Sequence, residues 1–295
     1  MSANAPTRLA PIRWPAEAVW EAVAPLLRGF TVEVLPEVDS TNSELMRRFK
    51  GTERIGPQTE PTLLVAEQQS AGRGRLGRTW ASQRGSSLMF SLGLLLAPVD
   101  WSGLSLAVGV SLADSLEPLH ERAEGGGSSL KTPPHIQLKW PNDLWLTTPD
   151  GPLKLGGVLV ETAAGADGQR FVVIGVGINI HPPVLTGEIA TAAAVPPGGL
   201  HSLRPDLDTA ATLLCVVPLL VRAVLAFEQF GFAPFQLRFA RRDGLAGRGV
   251  FLSNGTQGTA LGVSEHGALR VATASGVVNV TSAEVSVRPF PVGAA

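Results

Sequence analysis

Residues 67–80 run Glu67-Gln68-Gln69-Ser70-Ala71-Gly72-Arg73-Gly74-Arg75-Leu76-Gly77-Arg78-Thr79-Trp80, flanked by strand-like apolar runs at 63–67 and 87–96. Gly72, Gly74 and Gly77 fit the G-x-G-x-x-G spacing of dinucleotide-binding loops, but that fingerprint must open a helix. Residues 78–87 have no apolar helical face and lead straight into the second run. The unit is strand-loop-strand, which excludes a doubly wound βαβ fold. If the loop is extended, Arg73 and Arg75 project to one side about 7 Å apart, and at an effective dielectric of about 20 they repel by roughly 2 kcal/mol. An anion would relieve that repulsion, and the glycines let backbone N–H groups approach it, so a polyphosphate or phosphoryl ester suits the loop. A solvated basic loop is the alternative.

The whole chain is not basic. Its 295 residues include 24 basic and 25 acidic side chains, a net charge of −1, so DNA is not an expected partner and any nucleic-acid contact would be local. With 44% hydrophobic residues, wholesale disorder is excluded and one large or two modest cores can form. The apolar runs at 86–99, 171–180 and 213–221 fall short of the roughly eighteen residues a spanning helix needs, so no membrane segment is expected. Cys215 is the single cysteine, which rules out an internal disulfide and a zinc cluster. Together with a start lacking a signal-like apolar stretch, this fits a cytoplasmic protein.

Periodicity divides the chain into residues 1–29, a tail and one short helix; 30–243, the main domain; and 244–295, a small module of short strands suited to a β-barrel. One helix before Ser40 leaves no room for a helix-turn-helix. Thr41 and Glu44 match a capping box that opens the next helix. Helical spacing recurs at 104–119, 208–230 (with a kink expected at Pro218) and 234–242. The runs at 136–140, 144–147, 155–161 and 171–180 alternate with turn residues, as in an antiparallel meander. The class is α+β: a mixed, mainly antiparallel sheet backed by helices. Residues 181–205, rich in Pro and Gly, are expected to be a lid or disordered.

Only four of the basic residues are lysines, and two stand in a second constellation: Lys139-Trp140-Pro141-Asn142-Asp143, followed by Lys154-Leu155-Gly156-Gly157 and Val160-Glu161. Pro-Asn-Asp is ordinary turn chemistry. Lys154, between Leu153 and Leu155, needs a carboxylate or phosphate partner on a half-buried strand. In Gly175-Val176-Gly177-Ile178-Asn179, small residues in an apolar strand admit a flat ligand, a bulge or a tight packing contact.

Taken in order with Ser40-Thr41-Asn42, these motifs resemble the biotin protein ligases, from about residue 30 to the closing Glu284-Val285-Ser286-Val287-Arg288. The resemblance implies a class II synthetase-like biotin/lipoate ligase domain with a C-terminal SH3-like barrel, monofunctional and without the N-terminal DNA-binding domain. It also implies the reaction: biotin and ATP give biotinyl-5′-AMP, and the biotinyl group passes to a lysine of a biotin carboxyl carrier domain, of acetyl-CoA carboxylase or a related carboxylase. Mg²⁺ accompanies ATP. A homodimer paired through the sheet is compatible with this reading.

By the same resemblance Arg75 and Lys154 are the catalytic residues. Biotin falls to Ser40, Thr41, Asn42, Gln69, Gly72, Arg73, Gly74, Arg75, Lys154, Gly157, Gly175 and Gly177. ATP falls to Arg73, Arg75, Arg78, Trp80, Lys139, Asn142 and Asn179, and Asp143 would hold the metal. Residues 181–205 contain no Trp to stack on adenine, and Leu76 stands where some members carry arginine. A lipoate or octanoate transferase of the same superfamily, and a biotin-responsive protein that performs no transfer, are the competing readings.

Overall fold

The computed structural model describes residues 11–51, 56–118, 134–165, 168–184, 195–281 and 287–289. Seven strands form one mixed sheet in the order β1-β2-β3-β7-β6-β5-β4. They are β1 (Thr31–Leu35), β2 (Thr62–Ala66), β3 (Ser87–Leu96), β4 (His135–Lys139), β5 (Asp143–Thr148), β6 (Gly151–Ala164) and β7 (Arg170–Asn179). β1 and β2 are parallel, as the intervening helix α2 (Thr41–Lys50) allows; the other neighbours are antiparallel. The expected meander forms because turns as short as the one at Gly151 can only return the chain antiparallel.

Alternation along the central strands sorts side chains to two faces. Leu88, Phe90, Leu92, Ile174 and Ile178 join the main core beneath α1 (Ala16–Val23), α3 (Leu104–Leu116) and α4 (Thr209–Phe230). The opposite face is covered at one end by α2, where Leu45 meets Leu64, Phe171 and Val173 and Phe49 stacks on Phe171 at 4.4 Å. The uncovered remainder of that face, from Met89 to Gly157 and Gly177, becomes the floor of the site.

Three local expectations need correction: the N-cap of α2, the lack of a long apolar helix, and the extended form of residues 73–77. Ser40, not Thr41, is the N-cap of α2 and accepts from Ser43 N; Glu44 instead pairs with Arg47 and Arg48. The helix α4 continues without a break through Pro218, its Asp208 cap accepting from Ala211 N at 2.7 Å. At 22 residues it is also long and apolar enough to cross a membrane by length and composition. Leu213, Val216, Val217, Leu220 and Val224 are buried in the core shared with α3, which accounts for that apolarity. Residues 75–77 form a tight 3-10 turn and not an extended run. The loop expected at 121–134 lies mostly outside the described residues, as do 185–194 of the connection at 181–205.

After α5 (Ala233–Ala240), residues 242–244 run beside β4, with Leu138 N donating to Arg242 O and Gly244 N to Leu138 O. A five-stranded antiparallel sheet follows, in the order β11-β10-β9-β8-β12: β8 (Gly249–Leu252), β9 (Gln257–Val263), β10 (Leu269–Thr273), β11 (Gly276–Val280) and β12 (Val287–Pro289). It fits an SH3-like module. β12 was not anticipated, because three residues ending in proline carry no alternation to read.

One contact ties the two sheets, and another anchors the segment that leads into the second. Trp140 is fully buried and donates from Nε1 to Gly267 O at 3.0 Å. The buried Arg242 pairs with Asp114 Oδ1 at 3.0 Å and Glu117 Oε2 at 2.7 Å, and also donates to Glu117 O and Ile136 O. One guanidinium therefore gathers the end of α3, the start of β4 and the end of α5.

Candidate active site

A cavity of about 670 Å³ opens between the start of α2, the segment 73–81, strands β6 and β7, the turn 139–143 and residues 287–289. At one end, Thr41 donates to Gln69 Oε1 from N at 2.8 Å and from Oγ1 at 3.2 Å. Ser91 Oγ lies 2.7 Å from Thr41 Oγ1 and 2.6 Å from Asn42 Oδ1. Ser40, Thr41, Asn42 and Gln69 are thus brought together as expected, around a serine that had been missed. Its signal was present: a hydroxyl in the apolar run of β3, on the face shared by Met89 and Gly93.

Of the alternatives open to the glycines of β7, the structure shows the tight packing contact. A Cβ at Gly175 would sit 2.1 Å from Asn42 Oδ1, and one at Gly177 would sit 2.5 Å from Trp80 Cε2. These two positions make room for protein side chains, so the flat floor is Trp80 laid over Gly177 and not a bare strand. At Gly157 a Cβ would meet only ordinary contacts, 3.6 Å from Asp143 Oδ1 and 3.8 Å from Trp80.

Segment 72–80 is a hairpin, with Trp80 N donating to Gly72 O at 2.9 Å and Gly74 N to Arg78 O at 2.7 Å. A Cβ at Gly72 would lie 2.5 Å from Trp80 O, so the two arms can meet only at glycine. The tight tip places Leu76 at φ 56° and Gly77 at φ 70°. The loop is not extended, and Arg73 and Arg75 find separate partners. Arg73 pairs with Glu161 Oε1 at 2.9 Å, while Arg75 reaches Asn142 Oδ1 at 3.3 Å. The repulsion is relieved first by a protein carboxylate.

The far end of the cavity holds the lysines. Lys154 Nζ lies 2.8 Å from Asp143 Oδ1, and Lys139 Nζ lies 3.4 Å from Asp143 Oδ2. Burial pushes the Asp143 carboxyl up, but Lys154 and Lys139 outweigh it and hold it below the ordinary carboxylate value. Burial pulls Lys139 below the usual lysine range, and Asp143 only partly offsets this. Burial likewise lowers Arg75, against the pull of Asp143. Lys154 also stands 5.7 Å from the centre of the Trp80 ring.

Asn142 is committed to the fold through Val158 O at 2.9 Å. Asn179 donates to Lys154 O at 3.2 Å, which fixes the backbone that carries that lysine. Arg78 is an exposed member of the lining. Two buried atoms in this wall, Trp80 Nε1 and Asn179 Oδ1, have no hydrogen-bond partner, in contrast to the great majority of buried polar atoms. Residues 195–199 run beside β6, with Lys154 N donating to Pro196 O at 2.7 Å. Val287, Arg288 and Pro289 form part of the rim, a contribution invisible in the sequence because β12 was unread.

Asp143 does not suit a metal. Both its oxygens are taken by ammonium groups, and no cluster of three or more His, Cys, Asp or Glu stands ready for an ion among the described residues. In this structure the carboxylate serves as the counter-ion of two lysines and offers no free oxygen to a cation.

A neutral polar end, an aromatic floor and a far end with paired lysines and arginines define a ligase site for a small acid and a nucleotide. The Biotin/lipoate A/B protein ligase family model matches residues 34–179, and the Biotin protein ligase C terminal domain matches residues 253–288. The bifunctional ligase/repressor BirA of Escherichia coli is 33% identical over 248 residues, covering 82% of this chain and 70% of that protein. The biotin--[acetyl-CoA-carboxylase] ligase of Mycobacterium tuberculosis is 36% identical over 153 residues, half of this chain and 49% of that one. Among solved structures, the biotin protein ligase from Aquifex aeolicus in complex with biotin and ATP superposes with a TM-score of 0.67 at 29% identity, covering 88% of this chain and 98% of the other. The chain belongs to the biotin protein ligase family.

Proposed function

We propose that this chain is an ATP-dependent ligase that activates biotin as biotinyl-5′-AMP and transfers the biotinyl group to a lysine of a carrier domain such as that of acetyl-CoA carboxylase. A reducing cytoplasm suits its unpaired Cys215. The observation that carries the reading is the convergence of Lys139, Lys154 and Arg75 at one end of a cavity whose other end is the uncharged Thr41–Gln69–Ser91 network.

The biotin carboxylate attacks the α-phosphorus of ATP, the bond to pyrophosphate breaks, and a mixed anhydride results. An acceptor amine then attacks the biotinyl carbonyl, AMP departs and the amine loses a proton. No protein nucleophile is needed, so the residues work by alignment and charge. Ser40, Thr41, Asn42 and Gln69 bind the uncharged ureido end, with Trp80 as the apolar wall. Lys154 and Arg75 neutralise charge where carboxylate and α-phosphate meet, and Lys139 and Arg78 face the outer phosphates. Asp143 bridges the two lysines and favours the charged form of Lys139 until phosphate oxygens take its place.

Pyrophosphate release tests the reading: it should depend on biotin and not on lipoate, and AMP should appear only after a biotin-carrier fragment is added. Lipoate-dependent release would overturn it. Lys154→Ala should lower the rate of adenylate formation by about a hundredfold while biotin affinity changes less than about threefold, as for a charge used mainly in the transition state. Equal losses in both measurements would contradict that role.

A further inference from the structure

Glu161 has no part in the roles above, yet it touches three of the site's elements. It lies on β6 opposite Val173 of β7, two residues along from Leu159 and on the same face. Asn42, buried in the space left by Gly175, donates from Nδ2 to Glu161 Oε2 at 2.9 Å and to Leu159 O at 3.2 Å. The same carboxylate receives Arg73 from the hairpin, NH2 to Oε1 at 2.9 Å and NH1 to Oε2 at 3.2 Å. Arg73 NH1 also reaches Ser43 Oγ on α2 at 3.2 Å. The two-point geometry fixes direction as well as distance. The hairpin's own cross-links, between Gly72 and Trp80 and between Gly74 and Arg78, hold its arms to each other and not to the sheet.

We propose that Glu161 is a positioning residue: its carboxylate latches the hairpin, through Arg73, to the biotin end of the cavity and retains the adenylate until an amine arrives. The proposal rests on the reading that this cavity makes biotinyl-5′-AMP. It differs in sign from the view that Arg73 serves the ligand directly. If Glu161 merely competes with the ligand for Arg73, removing the carboxylate frees the arginine and tightens retention. If Glu161 is the latch, removing it loosens retention.

The test compares the parent chain with Glu161→Gln, Glu161→Asp and Arg73→Lys, after thermal unfolding has established the folded fraction of each. Escape of the adenylate is read as biotin label on serum albumin with no carrier present, beside single-turnover pyrophosphate release and the rate of tryptic cleavage at residues 73–78. Glu161→Gln should release pyrophosphate within about threefold of the parent chain, label albumin about threefold to tenfold more, and be cut faster in the hairpin. That range is what one part-exposed charge-assisted pair supports. Glu161→Asp should recover part of the retention, and Arg73→Lys, which keeps the charge without the fork, should also leak. Unchanged or tighter retention in Glu161→Gln, or an equal fall in pyrophosphate release and retention, would overturn the latch. A parent chain without biotin-dependent pyrophosphate release would instead overturn the function on which it rests.

Discussion

Asp143 carries an unusual load for one carboxylate, since both of its oxygens face lysines at the phosphate end of the cavity. Its folded pKa lies below the ordinary 3.8, so the stability it contributes is present above pH 3.8 and is lost only as the pH falls through the lowered value. Lys139 runs the other way. Its folded pKa lies below 10.5, so between that value and 10.5 the unfolded chain holds more protons and stability rises with pH. Asp143→Asn removes the attraction that props up Lys139, and the alkaline fall in adenylate formation should begin at lower pH than in the parent chain. A pH-rate profile checks this; an unshifted alkaline limb would show that Lys139 does not need Asp143 to stay charged. The need of Lys154 for an anion was legible from its apolar neighbours in the sequence. That Asp143 would supply it was not, because the pairing depends on the register of β5 against β6.

Among the elements, β7 and the hairpin explain each other. Period-two alternation puts Gly175 and Gly177 on one face of β7, and that much could be read from spacing alone. What fills the two gaps could not, since Asn42 and Trp80 arrive from distant segments. Gly175→Ala would drive a methyl into Asn42 Oδ1, a contact of 2.1 Å with a carboxamide held by three partners. It should raise the biotin KM by at least about tenfold and lower stability by roughly 1–3 kcal/mol. Gly177→Ala meets the edge of Trp80, a part-buried side chain on the hairpin, and should change indole fluorescence and ATP dependence more than folding. Steady-state kinetics and denaturant titration separate the two, and the same response in both variants would contradict this division.

Across the whole molecule, the helices and nearly all strands were legible because periodicity and turns agreed. The joint between the sheets was not, because it is made by single residues with no pattern. Arg242 reads in the sequence as one more surface arginine at a helix end, whereas it is buried between Asp114 and Glu117. Arg242→Met leaves Glu117 without its cation and Asp114 with Arg238 alone, and should destabilise the chain by about 3–5 kcal/mol, equivalent to a drop in Tm of roughly 5–8 °C at this size. A fall of less than about 1 kcal/mol in denaturant unfolding would show that the pair is not a keystone.

At that joint Gly267 approaches Gly103 so closely that a Cβ on the former would lie 2.8 Å from the other's Cα, and its carbonyl is held by Trp140. Trp140 immediately follows Lys139 and stands two residues before Asn142 in the same turn. A pull on the small C-terminal sheet, from whatever rests against its rim, therefore reaches the charged turn through a single buried indole, one residue from Lys139.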